Sequence, residues 1–279
     1  MEILQYTFMQ RALISSVLIG TVCSVVGVYV VLKGLSFIGA GIAHASFGGV
    51  ALGFFLGWNL VGTTMVFCLA TAWGIGLVSR RGRIKEDVAI GILFSATMAL
   101  GILLVSLLKG YNVDLIGFLF GSVLAVTVDD LWLTAILAIA LLLVVGLLFK
   151  ELLFITFDAE MAQVVGLPAT ALYFLLLGLM AVTVVVSIKV VGIILVEALI
   201  VTPAAAAYQI TNDFRRMMAL SIAIGIGSSV AGLFLSYWIN TPSGGTMVLT
   251  ATFVFFAAAV FSPKRKRFRL GQPASQVPV

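Results

Sequence analysis

One histidine and one carboxylate stand out because they interrupt long apolar stretches of the sequence. His44 is the only histidine in the chain, and Glu197 has Ile193, Ile194 and Val201 as apolar neighbours. An ionisable group at membrane depth is costly and usually faces an interior pathway. An imidazole nitrogen together with a carboxylate oxygen suits zinc, manganese or iron(II). The two residues are therefore candidates to face an interior pathway, where they would offer one nitrogen and one oxygen to a metal ion.

Both residues also have a plainer interpretation. A single histidine on a helix is often packed or hydrogen-bonded in the core, and a glutamate can be protonated and hydrogen-bonded to a carbonyl of a neighbouring helix. Catalysis is a poorer alternative, because the sequence has no H-E-x-x-H motif and no second histidine to hold a catalytic zinc. A transport site needs few ligands, since tight four-ligand coordination would trap the ion. We expect no catalytic residue and no permanently bound cofactor.

Three aspartates and a Thr-Pro pair are further candidates. Asp114, Asp129 and Asp130 precede one apolar stretch and would raise the cation concentration at an outer mouth. Their alternative role is to cap and solvate a surface helix. Thr202 and Pro203 lie inside another apolar stretch, where proline should break or bend a helix and so provide the hinge of a gate. Close packing beside the alanines that follow explains this pair equally well.

The composition shows which kind of element must position these residues. Of the 279 residues, 62% are hydrophobic and 10% are charged, with a mean hydropathy of +1.23. A soluble domain has about 25% charged residues, so this chain has too little polar surface for a water-soluble globule. A soluble enzyme, a nucleic-acid-binding domain and a disordered chain are excluded. We predict an all-α polytopic membrane protein with about eight to nine transmembrane helices.

Nine apolar stretches are long enough to cross a membrane. They lie near residues 9–32, 36–58, 60–79, 88–108, 131–149, 171–188, 190–208, 216–240 and 244–262. Glycines and aspartates interrupt the stretch 111–130, where we expect a short re-entrant or interfacial helix that protein covers. Residues 1–263 thus form one transmembrane domain with a loop at about 150–170. Residues 264–279 form a basic tail that we expect to be disordered.

The basic residues predict how the chain is oriented. With nine spans and a cytoplasmic C-terminus, 13 of the 16 lysines and arginines fall on the cytoplasmic side and three on the outer side. This asymmetry follows the positive-inside rule, and the odd span count places the N-terminus outside. The basic tail is best explained as an orientation signal that contacts lipid headgroups, not nucleic acid. Its five charges are Lys264, Arg265, Lys266, Arg267 and Arg269.

The longest predicted cytoplasmic loop contains a short helix between two spans. Asp158 and Glu160 suit the positive end of a helix, and Gly166 followed by Pro168 suits its other end. A short amphipathic helix at this place favours docking of another protein, and a plain helical connector is the alternative. The sequence has no G-x-x-x-x-G-K phosphate loop. Transport driven by ATP would therefore need a separate ATPase subunit.

Three segments, in this order, resemble the membrane permease subunit of the zinc, manganese and iron ABC importers. The family patterns are L-S-F-I-G-D-A-I-S-H-A, F-D-x-E-x-A-x-x-x-G and V-G-x-L-L-V-x-A-L-L-I-x-P-A-A. The matching segments here are 35–45, 157–166 and 191–205, and the likeness extends from about residue 8 to residue 262. Three matches in the correct order indicate the family much more strongly than any one of them.

The resemblance implies a function and partners. We expect a permease subunit of an ATP-binding-cassette importer that moves zinc, manganese or iron across a prokaryotic cytoplasmic membrane by alternating access. Its partners would be a second copy in a homodimer, a cytoplasmic ABC ATPase and an extracytoplasmic metal-binding protein. Residues 157–166, the coupling segment, would dock the ATPase. Its residues that match the pattern are Phe157, Asp158, Glu160, Ala162 and Gly166.

One departure from the family pattern bears on the metal pathway. The pattern has aspartate four residues before the histidine, where this sequence has Ala40. Positions i and i+4 share a helix face, so the carboxylate that would accompany His44 is missing. Glu197 stands where the family usually has an apolar residue, and it is a candidate replacement. Two other functions stay open: a permease for iron-siderophore or cobalamin-type substrates, and an ATP-independent metal channel or carrier.

Overall fold

A computed structural model of the chain describes residues 6–108, 126–262 and 264. The regular elements within these ranges are α-helices. They are α1 (Thr7–Lys33), α2 (Ser36–Leu56), α3 (Leu60–Gly82), α4 (Glu86–Leu107), α5 (Val128–Leu147), α6 (Phe149–Phe157), α7 (Ala159–Val164), α8 (Ala169–Val191), α9 (Ile193–Ile210), α10 (Phe214–Ile239) and α11 (Ser243–Val260).

Nine helices in the described ranges have the length and apolar composition of membrane spans. They are α1 to α5 and α8 to α11. The predicted all-α polytopic architecture is confirmed. The two remaining helices, α6 and α7, are too short to cross a membrane of about 30 Å at a rise of 1.5 Å per residue. They form the connection between α5 and α8, where the coupling segment lies.

Helix α1 is the centre of the bundle. It packs against α9 and α10 along most of its length and also contacts α5, α6 and α8. Helix α2 packs mainly against α3 and α4, whereas α9, α10 and α11 pack against one another. Helix α8 contacts α3, α5, α2, α9 and α1. The bundle thus has one group of helices around α2 and another around α9, with α1 and α8 between them.

One end of the bundle gathers the segments that the charge pattern predicts to be cytoplasmic. The end of α1 contacts α6 through Lys33 and Ile155, and the end of α3 contacts the start of α8 through Arg80 and Thr170. The ring of Phe214, at the start of α10, lies 5.4 Å from that of Phe149 at the start of α6. These contacts agree with the prediction that successive spans cross the membrane in alternating directions. Which side of a membrane this end faces stays a prediction.

The chain after α11 begins by contacting the end of α9. Ser262 Oγ donates to the carbonyl of Gln209 at 2.7 Å, and Lys264 Nζ donates to the carbonyl of Tyr208. The Lys264 ammonium also lies 3.7 Å from the centroid of the Tyr208 ring, and burial lowers the pKa of Lys264. The other basic residues of the predicted tail are outside the described residues, and disorder of the tail stays a prediction.

Three boundaries differ from the prediction. Residues 128–130 belong to α5 and not to the interrupted stretch 111–130, because a capping box between Thr127 and Asp130 starts the helix there. The predicted re-entrant helix otherwise falls mainly on 111–125, outside the described residues. Helix α6 was not predicted. Helix α9 continues through Pro203, so a break at this residue is wrong, and a hinge there stays a prediction.

The connection between α8 and α9 is buried. A single residue, Gly192, joins the two helices with φ 82° and ψ 166°, a backbone conformation that is essentially restricted to glycine. Val190, Val191 and Ile193 around it are at most 1% exposed. Irregular backbone without water must be covered by protein. Helix α9 therefore begins inside the protein. Glu197, in its second turn, lies deeper in the bundle than it would if the connection were at the protein surface.

Candidate metal pathway and coupling segment

His44 lies on α2 with its ring held in a defined orientation. Its Nδ1 is 3.0 Å from the carbonyl oxygen of Ala40. Because a carbonyl oxygen only accepts, Nδ1 must carry the proton that is donated. The ring of Phe94 on α4 contacts His44 edge-on, with the centroids 5.0 Å apart. In this tautomer the lone pair is on Nε2, the nitrogen that can bind a metal ion.

Ala40 and His44 form part of one stripe along α2. Both residues are partly exposed, whereas Gly41, Ile42 and Ala43 between them are buried. The Ala40 side chain stands one turn before His44, at the position of the family's aspartate, and it supplies no ligand atom. Ala40 contributes instead through its backbone carbonyl, which orients the imidazole.

Glu197 lies in the second turn of α9 on a similar stripe. Glu197, Ala198, Val201 and Thr202 are partly exposed. The residues next to them in the sequence pack into the core; they are Val196, Leu199 and Ile200. Helices α2 and α9 contact each other, so the two stripes belong to neighbouring elements. Within the described part of the chain, no three His, Cys, Asp or Glu side chains come together as a metal cluster. Pairing of His44 with Glu197 stays a prediction.

Thr202 and Pro203 are in the middle of α9. Pro203 is buried and has no backbone N–H, so the Leu199 carbonyl one turn earlier receives no helical hydrogen bond from it. Helix α9 nevertheless stays continuous, because its buried face packs against α1, α10 and α11. A helix bends more easily where a backbone hydrogen bond is missing, so this position suits a hinge.

The acidic residues near the start of α5 cap that helix. Asp130 Oδ2 accepts from the Thr127 hydroxyl at 2.7 Å and from the Thr127 backbone N–H at 3.3 Å. Asp129 is exposed in the same turn, where negative charge is favourable. Asp114 is outside the described residues. The capping role of Asp130 thus has a geometric basis, while attraction of cations by the three aspartates stays a prediction.

The coupling segment forms a short capped helix. Asp158 Oδ1 accepts from the backbone N–H of Met161 at 2.8 Å and caps α7. Gly166, with φ 91°, follows the helix, and the next N–H donates back to the carbonyl of Ala162 at 2.9 Å. Ala162 is fully buried. Glu160 lies in the first turn, as the helix dipole favours.

The exposed face of the coupling segment is apolar. Phe157 is 67% exposed, Val164 is 80% exposed and Val165 is 66% exposed. Exposed apolar side chains next to each other mark an interaction surface when lipid does not cover them. Helix α7 is linked to the bundle end that also holds Lys33 and Arg80. A surface of this kind suits the docking of another protein.

Sequence reasoning missed two features of the site. Phe94 contacts His44 only because α4 packs against α2, and no local pattern records that packing. Helix α6 has a recognisable signal, since Leu152 and Ile155 are three residues apart and both are buried. The span predicted at 131–149 had obscured its start.

Comparison with known proteins gives a consistent result over the whole chain. Residues 5–262 match the model of the ABC 3 transport family. The manganese transport system membrane protein MntC of Listeria monocytogenes is 44% identical over 263 residues, which are 94% of each chain. The manganese import system permease protein ScaB of Streptococcus gordonii is 39% identical over 261 residues, again 94% of each chain.

Two solved structures are also similar. The first, PsaBC from Streptococcus pneumoniae in complex with Fab, has a TM-score of 0.87 and 38% identity, covering 97% of this chain and 98% of that chain. The second, described as an inward-facing transporter of metal-chelate type, has a TM-score of 0.76 and 15% identity. At that identity the likeness to the second concerns the fold alone.

Proposed function

The chain belongs to the ABC 3 transport family, and we propose that the ion it carries is manganese(II). It is the membrane permease subunit of a metal importer of the ATP-binding-cassette type, as the three motifs predicted, and ATP hydrolysis belongs to a separate subunit. The observation that carries the choice of manganese is the chain-wide identity of 39–44% with permeases named for manganese transport.

The proposed route of the ion passes His44 and Glu197. Nε2 of His44 supplies a neutral nitrogen, and Glu197 supplies the carboxylate oxygen that Ala40 cannot. Manganese(II) favours oxygen ligands, so the carboxylate is the stronger determinant of the two. One nitrogen and one oxygen in each chain bind weakly enough for the ion to leave again.

The route would be completed by a homodimer. The stripes that contain His44 and Glu197 are partly exposed in one chain, and a carboxylate that faces lipid at depth costs a few kcal/mol. A second copy placed against these stripes would cover them and double the ligand set. The two copies would rock between outward-open and inward-open arrangements, with bending at Thr202 and Pro203.

ATP hydrolysis would act through the coupling segment. The exposed side chains of Phe157, Val164 and Val165 would insert into a cytoplasmic ATPase subunit, which places this end of the bundle and Lys264 in the cytoplasm. An extracytoplasmic metal-binding protein would deliver the ion to the opposite end. The chain would thus be a multi-pass protein of a prokaryotic cytoplasmic membrane.

Growth rescue tests the choice of ion. The chain is expressed with its ATPase and metal-binding protein in a strain that lacks manganese, zinc and iron importers, in chelator-treated medium. We expect rescue at the lowest added concentration with manganese, together with cellular manganese accumulation. Rescue by zinc or iron at lower concentrations than manganese would contradict the proposal.

A further inference from the structure

We propose that Lys33 is a positioning residue that joins α6, the helix leading into the coupling segment, to the central helix α1. The inference rests on the proposed function, because it assigns a path by which an ATPase docked at 157–166 moves the helices. The contact on which it depends is a hydrogen bond from Lys33 Nζ to the carbonyl oxygen of Ile155, with a length of 2.6 Å. The two residues are 122 positions apart in the sequence.

This hydrogen bond satisfies a carbonyl at the end of α6. The last four carbonyls of a helix have no partner within it. Among those of α6, the Phe154 carbonyl accepts from the Asp158 N–H at 3.0 Å, and the Ile155 carbonyl accepts from Lys33. A cation at the negative end of a helix is favourable. Lys33 is itself the last residue of α1. Its positive charge therefore lies at the carboxyl-terminal ends of both α1 and α6.

The charged groups around Lys33 belong to the coupling segment and to the ends of α3 and α4 that face each other. Glu86, Arg80 and Asp158 all interact electrostatically with the Lys33 ammonium. Asp158 caps α7, and it follows Ile155 by three residues. Glu86 and Asp158 attract the ammonium and Arg80 repels it, and the hydrogen bond to Ile155 fixes its position among them. Displacement of α7 therefore acts on α6 and Asp158, and through them on Lys33.

Helix α8, which follows the coupling segment, is attached to a different set of helices. Arg80 donates to the Thr170 hydroxyl at 3.0 Å, and its guanidinium lies 4.4 Å from the centroid of the Tyr173 ring. The Tyr173 hydroxyl donates to Glu86 at 2.7 Å. The first turns of α8 are thereby joined to α3 and α4, which pack against α2.

The two attachments lead to the two helices that bear the proposed ligands. Through Lys33 the coupling segment reaches α1, which packs against α9 with Glu197. Through Arg80 and Glu86 it reaches the group around α2 with His44. Helix α2 also begins only three residues after Lys33. Helix α1 also packs against α6, so loss of the Lys33 contact would leave the ATPase docked and would weaken the transmission of its movement to α1.

The test compares Lys33→Met, Lys33→Arg and Lys150→Met in the complete complex with its ATPase and metal-binding protein, reconstituted in liposomes. Lys150 is the matched control, since it is an exposed lysine on α6. The quantity measured is the number of manganese ions taken up per ATP hydrolysed. We expect assembly and ATP hydrolysis to persist in Lys33→Met while this ratio falls about tenfold. Lys33→Arg keeps the charge and the donor, and it should restore the ratio to within about twofold.

The outcomes separate this inference from the proposed function. A ratio in Lys33→Met equal to that of the unmodified complex would overturn the role of Lys33, as would an equal loss in Lys150→Met or no restoration in Lys33→Arg. If Lys33→Met does not assemble, Lys33→Gln is measured in its place against the same criterion. Failure of the proposed function would give a different result: the unmodified complex would show no ATP-dependent manganese uptake.

Discussion

Gly27 of α1 lies directly against the backbone of Ile200 in α9. A Cβ atom at residue 27 would overlap the Ile200 carbonyl oxygen and would lie 2.9 Å from its carbonyl carbon. The two helices therefore touch through their backbones at this point. Because α1 ends at Lys33 and α9 contains Glu197, this contact joins the coupling end of the bundle to the proposed pathway.

Gly27→Ala should destabilise the protein. The added methyl group meets backbone, which cannot rotate away as a side chain can, so the helices must separate at a cost of about 1–3 kcal/mol. Thermal unfolding in detergent should show a Tm lower by several degrees. Gly227→Ala in α10 is the control, because nothing lies within 4 Å of its Cβ position. Equal Tm values for the two variants would contradict the close contact.

His44→Ala should remove manganese uptake without preventing assembly. The substitution deletes the Nε2 ligand, and we expect uptake to fall on the order of tenfold to a hundredfold. Radioactive manganese uptake into cells measures the effect, and co-purification of the ATPase checks assembly. Ser46→Ala, two residues later and buried on α2, should transport normally. Uptake that survives in His44→Ala would show that the imidazole is a packing residue.

Glu197→Gln should abolish uptake and leave the complex intact. Glutamine has nearly the same shape but lacks the carboxylate that, in the proposed route, compensates for Ala40. The same uptake assay applies, with Asp87→Asn as the control, since Asp87 is an exposed carboxylate in the first turn of α4. Normal uptake in Glu197→Gln would remove the pairing with His44 and favour a protonated, hydrogen-bonded glutamate.

Val164→Asp should prevent docking of the ATPase. Val164 is 80% exposed on the coupling segment, and a carboxylate placed in an apolar interface is costly to desolvate. Co-purification of the ATPase should be lost while the Tm of the isolated permease is unchanged. Val128→Asp, in the first turn of α5, should keep the ATPase bound. Retention of the ATPase by Val164→Asp would place the docking surface elsewhere.

The helices were predictable because their determinants are local. Nine apolar stretches and their bounding charges predicted the nine spans found among the described residues, and Asp158, Gly166 and Pro168 predicted α7. Helix α6 was hidden because its first residue, Phe149, continues the apolar stretch of α5, and one residue, Leu148, separates the two helices. Pro203 did not end α9, since packing on α1, α10 and α11 outweighs one missing hydrogen bond.

The candidate site was predictable only in part. His44 and Glu197 were detectable because ionisable groups are rare in apolar sequence. The contacts that orient or connect the site depend on helix packing, such as Phe94 against His44, 50 positions later in the chain. Lys33 was predicted only as one of the cytoplasmic basic residues that orient the chain. Its hydrogen-bond acceptor is a backbone carbonyl, which has no signature in the sequence.

Manganese flux into liposomes with a hydrolysis-deficient ATPase subunit is the most direct test of ATP-driven import. The permease, the ATPase and the metal-binding protein are reconstituted together, and ion entry is followed with ATP supplied on the ATPase side. We expect rapid uptake with the active ATPase and no uptake above that of empty liposomes with the inactive one. Uptake that persists with the inactive ATPase would identify the chain as a channel or carrier and would contradict coupling through residues 157–166.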